Sequence, residues 1–240
     1  MKNALAAVCA LLTIAAFTPS ASAVAVHMAP PDPARGTIGV RVKLALRGKM
    51  AGATAGAIYF VRVTEDSDPL TAEQLIPANY GKGRNLYLLN AEPGRYVAVG
   101  GEFQLPPTTM RGVTLFSKAD IPKTEITVRA GSVAFMGEID AGSAVKMLEL
   151  DETQAHFLHL IFATSDKLGA ADRTVTVNFA QSSVIRTIER GEAVDTEFWS
   201  EATHNHFRNE PAWIKLIDSR PVLPPQIPNA PAKSGGGAPR

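Results

Sequence analysis

From Gly36 the chain alternates greasy and polar positions with a period of two. Ile38, Val40, Val42, Leu44 and Leu46 fall on one side, and Gly39, Arg41, Lys43, Ala45 and Arg47 on the other. Successive side chains of an extended strand point to opposite faces, so this rhythm predicts a half-buried strand. Comparable runs predict further strands at 57–64, 85–89, 95–103, 124–129, 133–139, 145–150, 156–163 and 174–179. The run from His156 to Phe162 is apolar on both faces, which predicts a central or covered strand. Pro93-Gly94, Pro106-Pro107, Ala130-Gly131 and Ala141-Gly142 mark the turns. Short strands at this spacing predict a mainly β fold of the antiparallel sandwich type, with a core at 36–142 and further strands at 143–180.

Beyond Phe179 the spacing changes. Trp199, Ala202 and His206 recur at three and four residues, predicting a helix over 195–207 with Asp195 as its cap. Pro211 suits the first turn of a second helix that carries Trp213, Ile214 and Ile217 on one side. The chain has two tryptophans, Trp199 and Trp213, and their expected role is to dock this helical segment, 181–220, onto the sandwich. Pro30, Pro31 and Pro33 make 24–35 an extended linker, and the Pro- and Gly-rich stretch 221–240 reads as a disordered tail, either a spacer or a docking segment for an envelope partner.

The first 23 residues have Lys2, an apolar run from Ala4 to Phe17 and the small residues Ser20-Ala21-Ser22-Ala23, the tripartite pattern of a secretory leader. That run falls short of the roughly 20 residues that cross a bilayer, and no other stretch is long and apolar enough to do so. Export to the periplasm or outer envelope is therefore expected. The single cysteine, Cys9, lies inside the leader and follows Val8 rather than a small residue, so a lipid anchor is not expected and the mature chain has no thiol. Its stability must come without disulfides. There are 24 Lys and Arg against 23 Asp and Glu, and removing Lys2 with the leader leaves 23 against 23. A neutral chain without a clustered basic face argues against nucleic acid as a partner.

The stretch Leu86 to Val99, with Glu92-Pro93-Gly94-Arg95-Tyr96 at its centre, resembles the strand, Pro-Gly turn and strand hairpin of prealbumin-like and carboxypeptidase regulatory-like domains. A second echo runs from Ile126 to Ile139 through Ala130-Gly131. Together they are similar to small β-sandwich domains of bacterial envelope proteins and cover about half the chain. The resemblance implies a Greek-key sandwich and a non-catalytic binding or structural role, and it brings no catalytic residue.

Histidine pairs carry the chief chemical alternative, a metal-dependent or hydrolytic secreted enzyme. His156 and His159 would point to opposite faces of a strand, and His204 and His206 to different sides of a helix, so neither pair chelates alone. One histidine from each pair meeting between strand and helix is the arrangement that would bind metal. Glu65, Asp66 and Asp68 form an acidic loop that reads as a solvated turn, with calcium as the alternative. Ser132 and Ser143 lack the surroundings of a nucleophile elbow, Gly48-Lys49 lacks a phosphate loop's upstream glycine, and Gly100-Gly101-Glu102-Phe103 reads as plain strand. Arg41, Lys43 and Arg47 are expected to line the wet face of the first strand. No cofactor is implied.

Overall fold

The computed structural model describes residues 28–45, 54–64, 68–104, 111–143, 150–167 and 177–220. These form ten strands and three helices in the order β1 (Gly36–Ala45), β2 (Thr54–Val63), β3 (Ile76–Pro77), β4 (Tyr80–Lys82), β5 (Asn85–Ala91), β6 (Gly94–Gln104), β7 (Arg111–Phe116), β8 (Ile126–Val128), β9 (Val133–Ser143), α1 (Glu152–Lys167), β10 (Val177–Glu189), α2 (Glu192–Glu201) and α3 (Pro211–Asp218). A π turn, Ala202–His206, links α2 toward α3.

The strands join in one sheet in the order β3-β2-β6-β7-β10-β9-β1-β5-β4, with β8 added on β6. The fold is mainly β, as the period-two rhythm predicts, but the sheet is mixed rather than antiparallel. β1 runs parallel to β9, and β10 parallel to β7. Strands β1 and β2 stand far apart in this order and yet pack together, so the sheet curls on itself around a core. Ile38, Val40 and Val42 of β1 meet Ile58, Phe60, Leu88 and Val99 inside that curl.

Further expectations are corrected along the chain. The residues from His156 to Ala163 are helix, not strand: among the described side chains of α1, Gln154, Phe157 and Ile161 are buried, a helical spacing that drives one stripe into the core. Its start is fixed by a reciprocal cap, in which Asp151 Oδ1 accepts from the Gln154 amide at 2.8 Å and Gln154 Oε1 accepts from the Asp151 amide at 3.2 Å. Residues 181–189, expected to be helical, continue β10, whose buried positions include Ser182 and Ser183 and so show no greasy rhythm. Finally, β5 and β6 follow one another across Pro93-Gly94 but are not a hydrogen-bonded hairpin. β5 pairs with β1 and β4, and β6 with β2, β7 and β8. The expected strand at 145–150 lies largely outside the described residues, and β8 is shorter than the expected 124–129 because Thr124 belongs to a 3₁₀ turn, Ile121–Thr124.

The other face of β1 carries the C-terminal helices. Tyr87, Leu89, Phe198, Trp199, Phe207, Trp213 and Ile217 form a second apolar cluster there, so both tryptophans dock the helices onto the sheet as expected. Phe198 stacks on Phe135 with ring centroids 4.4 Å apart. Asp195 does not cap α2, which starts after Gly191; its carboxylate instead accepts from the Trp199 indole at 3.2 Å. The described part of the extended entry segment is tied to the fold, since the Ala29 carbonyl accepts from the Trp213 indole at 3.0 Å and Asn90 brackets Pro30 and Asp32.

Gly39 lets the helices approach this closely. A Cβ there would lie 2.4 Å from Phe198 and 3.0 Å from Trp199. Gly39→Ala is therefore expected to cost about 1–3 kcal/mol in urea unfolding. Gly56→Ala on β2, whose nearest atom would be 3.6 Å away, is expected to be neutral or slightly stabilising in the same measurement.

Candidate functional site

Strand register alone sets Asn85, Arg41 and Glu138 side by side on the helix-covered face, because Arg41 of β1 pairs with Asn85 of β5 and with Glu138 of β9. The α2 helix lies over this row and supplies Glu197 and Glu201, four residues apart and hence on one side of the helix. The Arg41 fork meets all of them. Its Nε donates to Asn85 Oδ1 at 3.0 Å, Nη1 to Glu138 Oε2 at 3.2 Å and to Glu197 Oε1 at 2.9 Å, and Nη2 to Glu201 Oε2 at 2.6 Å. The guanidinium also stands 5.7 Å from the Phe198 ring centroid, within cation–π range.

Arg41 was expected on a wet face, and its side chain is only 8% exposed. The reason is α2, which covers the charged parity of β1 that the strand rhythm assigns to solvent. Lys43, on the same parity, is half-exposed and pairs with Glu138; Arg47 lies outside the described residues. Burial works against the Arg41 charge, yet the bonds it donates to Glu197 and Glu138 and the nearby Glu201 carboxylate outweigh it and hold its pKa above the ordinary value. Burial likewise pushes the Glu138 carboxyl up, and Lys43 and Arg41 more than reverse this, leaving it below the usual carboxylate range.

Beside the cluster an open cavity of about 470 Å³ separates the β4–β5 hairpin from α2 and the π turn. Lys82 and Arg84 stand on the hairpin side, Glu197, Glu201 and His206 on the helix side, and Arg41 and Asn85 behind. Two bonds tie the sides together: Tyr80 Oη donates to the His206 carbonyl at 2.9 Å, and Lys82 Nζ to the Asn205 carbonyl at 3.0 Å. The Asn85 amide nitrogen is buried with no partner in hydrogen-bond geometry.

His206 is the histidine that enters this site. Its Nδ1 lies 2.7 Å from the Tyr87 hydroxyl and its Nε2 lies 4.0 Å from Glu201. Desolvation is the main influence on the imidazole, which titrates below the ordinary histidine value even though Glu201 favours the charged form. Burial also pushes the Tyr87 phenol far up, so it stays protonated. His204 Nδ1 contacts the Ser200 carbonyl at 2.7 Å. His156 Nε2 contacts the Ala72 carbonyl at 2.8 Å, and His159 is exposed. The helical α1 puts His156 and His159 on adjacent positions rather than opposed ones, but that helix packs into the inner core while the His204–His206 segment lies against the other face of the sheet. The two pairs therefore do not meet, and among the described residues no three His, Cys, Asp or Glu are placed to hold a metal.

The remaining candidates are structural where they are described. Glu65 and Asp66 lie outside the described residues, and Asp68 caps a 3₁₀ turn by accepting from the Leu70 amide at 2.9 Å. Ser132 Oγ closes the turn before β9 on the Arg129 carbonyl at 2.8 Å. The Arg41 cluster and its cavity were not legible as a site, because the strand pairing that aligns Asn85, Arg41 and Glu138 spans 97 residues. No protein-family model, no curated protein and no solved structure matches the chain.

Two predictions concern this face. Arg41→Ala leaves the buried Glu138 with Lys43 alone and is expected to lower stability by about 3–5 kcal/mol; a red shift of tryptophan emission should accompany it as Trp199 and Trp213 loosen from the sheet. For His206 the folded pKa is the lower one, so below about pH 6.5 the unfolded chain takes the proton first and stability falls as pH drops. His206→Asn should flatten the difference in urea midpoint between pH 7.5 and pH 5.5 relative to the parent.

Proposed function

We propose that this chain is an exported envelope protein with a non-catalytic role, a binding module that holds a polar ligand in the cavity beside Arg41. The observation that carries this reading is the pre-organisation of the cavity wall. Arg41 has its donors fixed by four side chains, and the hairpin and π turn are tied by Tyr80 and Lys82, so polar groups are presented without having to be ordered at the moment of binding. The leader pattern of residues 1–23 supports export, and a mature chain whose only cysteine is removed with that leader suits an oxidising compartment.

The likeness to prealbumin-like sandwiches belongs to the same proposal. In its favour, β5 and β6, joined across Pro93-Gly94, stand in different parts of the curled sheet, as successive strands of a two-walled fold do. The parallel pairs β1–β9 and β7–β10 depart from that pattern. The Pro-rich tail remains the proposed contact for an envelope partner.

The enzyme alternative has one observation in its favour, the entry of His206 into the cavity between Tyr87 and Glu201. Two measurements separate the readings. Intact mass of protein recovered from the envelope fraction should correspond to a chain starting at Val24, and its melting temperature should be the same with and without chelator. A chain retaining Met1 in the cytosolic fraction sinks the export reading, and a chelator-dependent melt favours the metal enzyme.

A further inference from the structure

Resting on the reading of the cavity as a binding site, we infer that its ligand is a small hydroxylated carboxylate, of the sugar-acid class. The inference comes from which polar groups are still unspent. Among the described residues Lys82 and Arg84 are in no ion pair: Lys82 bonds only the Asn205 carbonyl, and Arg84 is exposed. They make a donor-rich side facing the opening. On the other side Glu197 meets Arg41 through Oε1 and Glu201 through Oε2, so each carboxylate keeps an oxygen that bonds no fixed partner, Glu201 Oε1 lying 4.0 Å from His206.

Charge decides what each side takes. Arg41, Lys43, Lys82 and Arg84 face Glu138, Glu197 and Glu201, with His206 held neutral, so cations exceed anions by one and a monoanion restores balance. The planar guanidinium of Arg84 matches a carboxylate in bidentate fashion. The Glu197 and Glu201 oxygens sit 2.9 and 2.6 Å from the Arg41 fork, and that fixed positive charge disfavours a ligand ammonium beside them, whereas neutral hydroxyl donors carry no such cost. None of the groups named on the wall is apolar, which fits a hydrated, hydroxyl-rich molecule, and about 470 Å³ lies in the usual range for small-ligand cavities.

The test is calorimetric titration and amide chemical-shift mapping of the purified protein with four probes: D-glucuronate, D-glucose, D-glucosamine and inorganic phosphate. Glucuronate is expected to bind and to shift resonances of residues 82–85 and 197–206, with glucose, glucosamine and phosphate at least about tenfold weaker. Because Arg84 is exposed, Arg84→Gln should leave the melt unchanged and weaken glucuronate about tenfold or more. Equal binding of glucose or stronger binding of glucosamine overturns the carboxylate assignment and leaves the binding cavity standing. Phosphate matching glucuronate overturns the hydroxyl requirement, and glucuronate affinity unchanged in Arg84→Gln overturns the role of the hairpin. If no probe shifts any residue of the cavity, both this inference and the binding reading fail.

Discussion

A guanidinium taken out of water must recover its hydration from the protein, and Arg41 does so from two neighbouring strands and a helix at once. Asn85 comes from β5, Glu138 from β9, and Glu197 and Glu201 from α2. A single buried charge with partners on separate elements costs more than it returns unless all of them are in place. The C-terminal helices are thereby held in one position on the sheet, which apolar contact alone would leave free to slide. The aromatic cluster supplies attraction, and Arg41 selects its geometry.

The same division of labour recurs on the inner side of the sheet. There α1 inserts Phe157 and Ile161 into the core, while the Gln154 amide nitrogen donates to the Leu115 and Phe116 carbonyls at 3.3 and 3.2 Å and to Ser182 Oγ at 2.8 Å. Asp120, also buried, is bonded by Ser117, Lys123 and the Ile185 amide, and these bonds outweigh the effect of burial and keep it ionised below the usual range. Each face of the sheet thus has an apolar filling and a polar group that fixes its register.

Much of the sheet was legible, because strands with one greasy face announce themselves at every second residue: β1, β2, β5, β6 and β9 lie where that rhythm placed them. α1 was hidden by its own hydrophobicity, since Phe157, Leu158, Leu160, Ile161 and Phe162 fill both parities of a strand as readily as they fill a helix. The overlooked signal was the Asp151–Gln154 cap at its start. β7 was not singled out at all, and β10 was read as stopping short because its serines face inward. The candidate site was the least legible part. A charge on the polar parity of a strand looks the same whether water or another helix lies above it, and only tertiary structure distinguishes the two for Arg41.

The topology also dictates when the molecule can be completed. β1 is the first of the described strands to be made, and its parallel neighbour β9 begins at Val133, while the Arg41–Glu201 bond joins residues 160 apart. Contacts of such long range form late and slowly. A nascent chain emerging from its start thus cannot close its central ladder or bury its key cation until nearly all of it is available. Such a chain reaches its native shape as a whole rather than from one end, and premature compaction is discouraged by the wiring of the sheet itself.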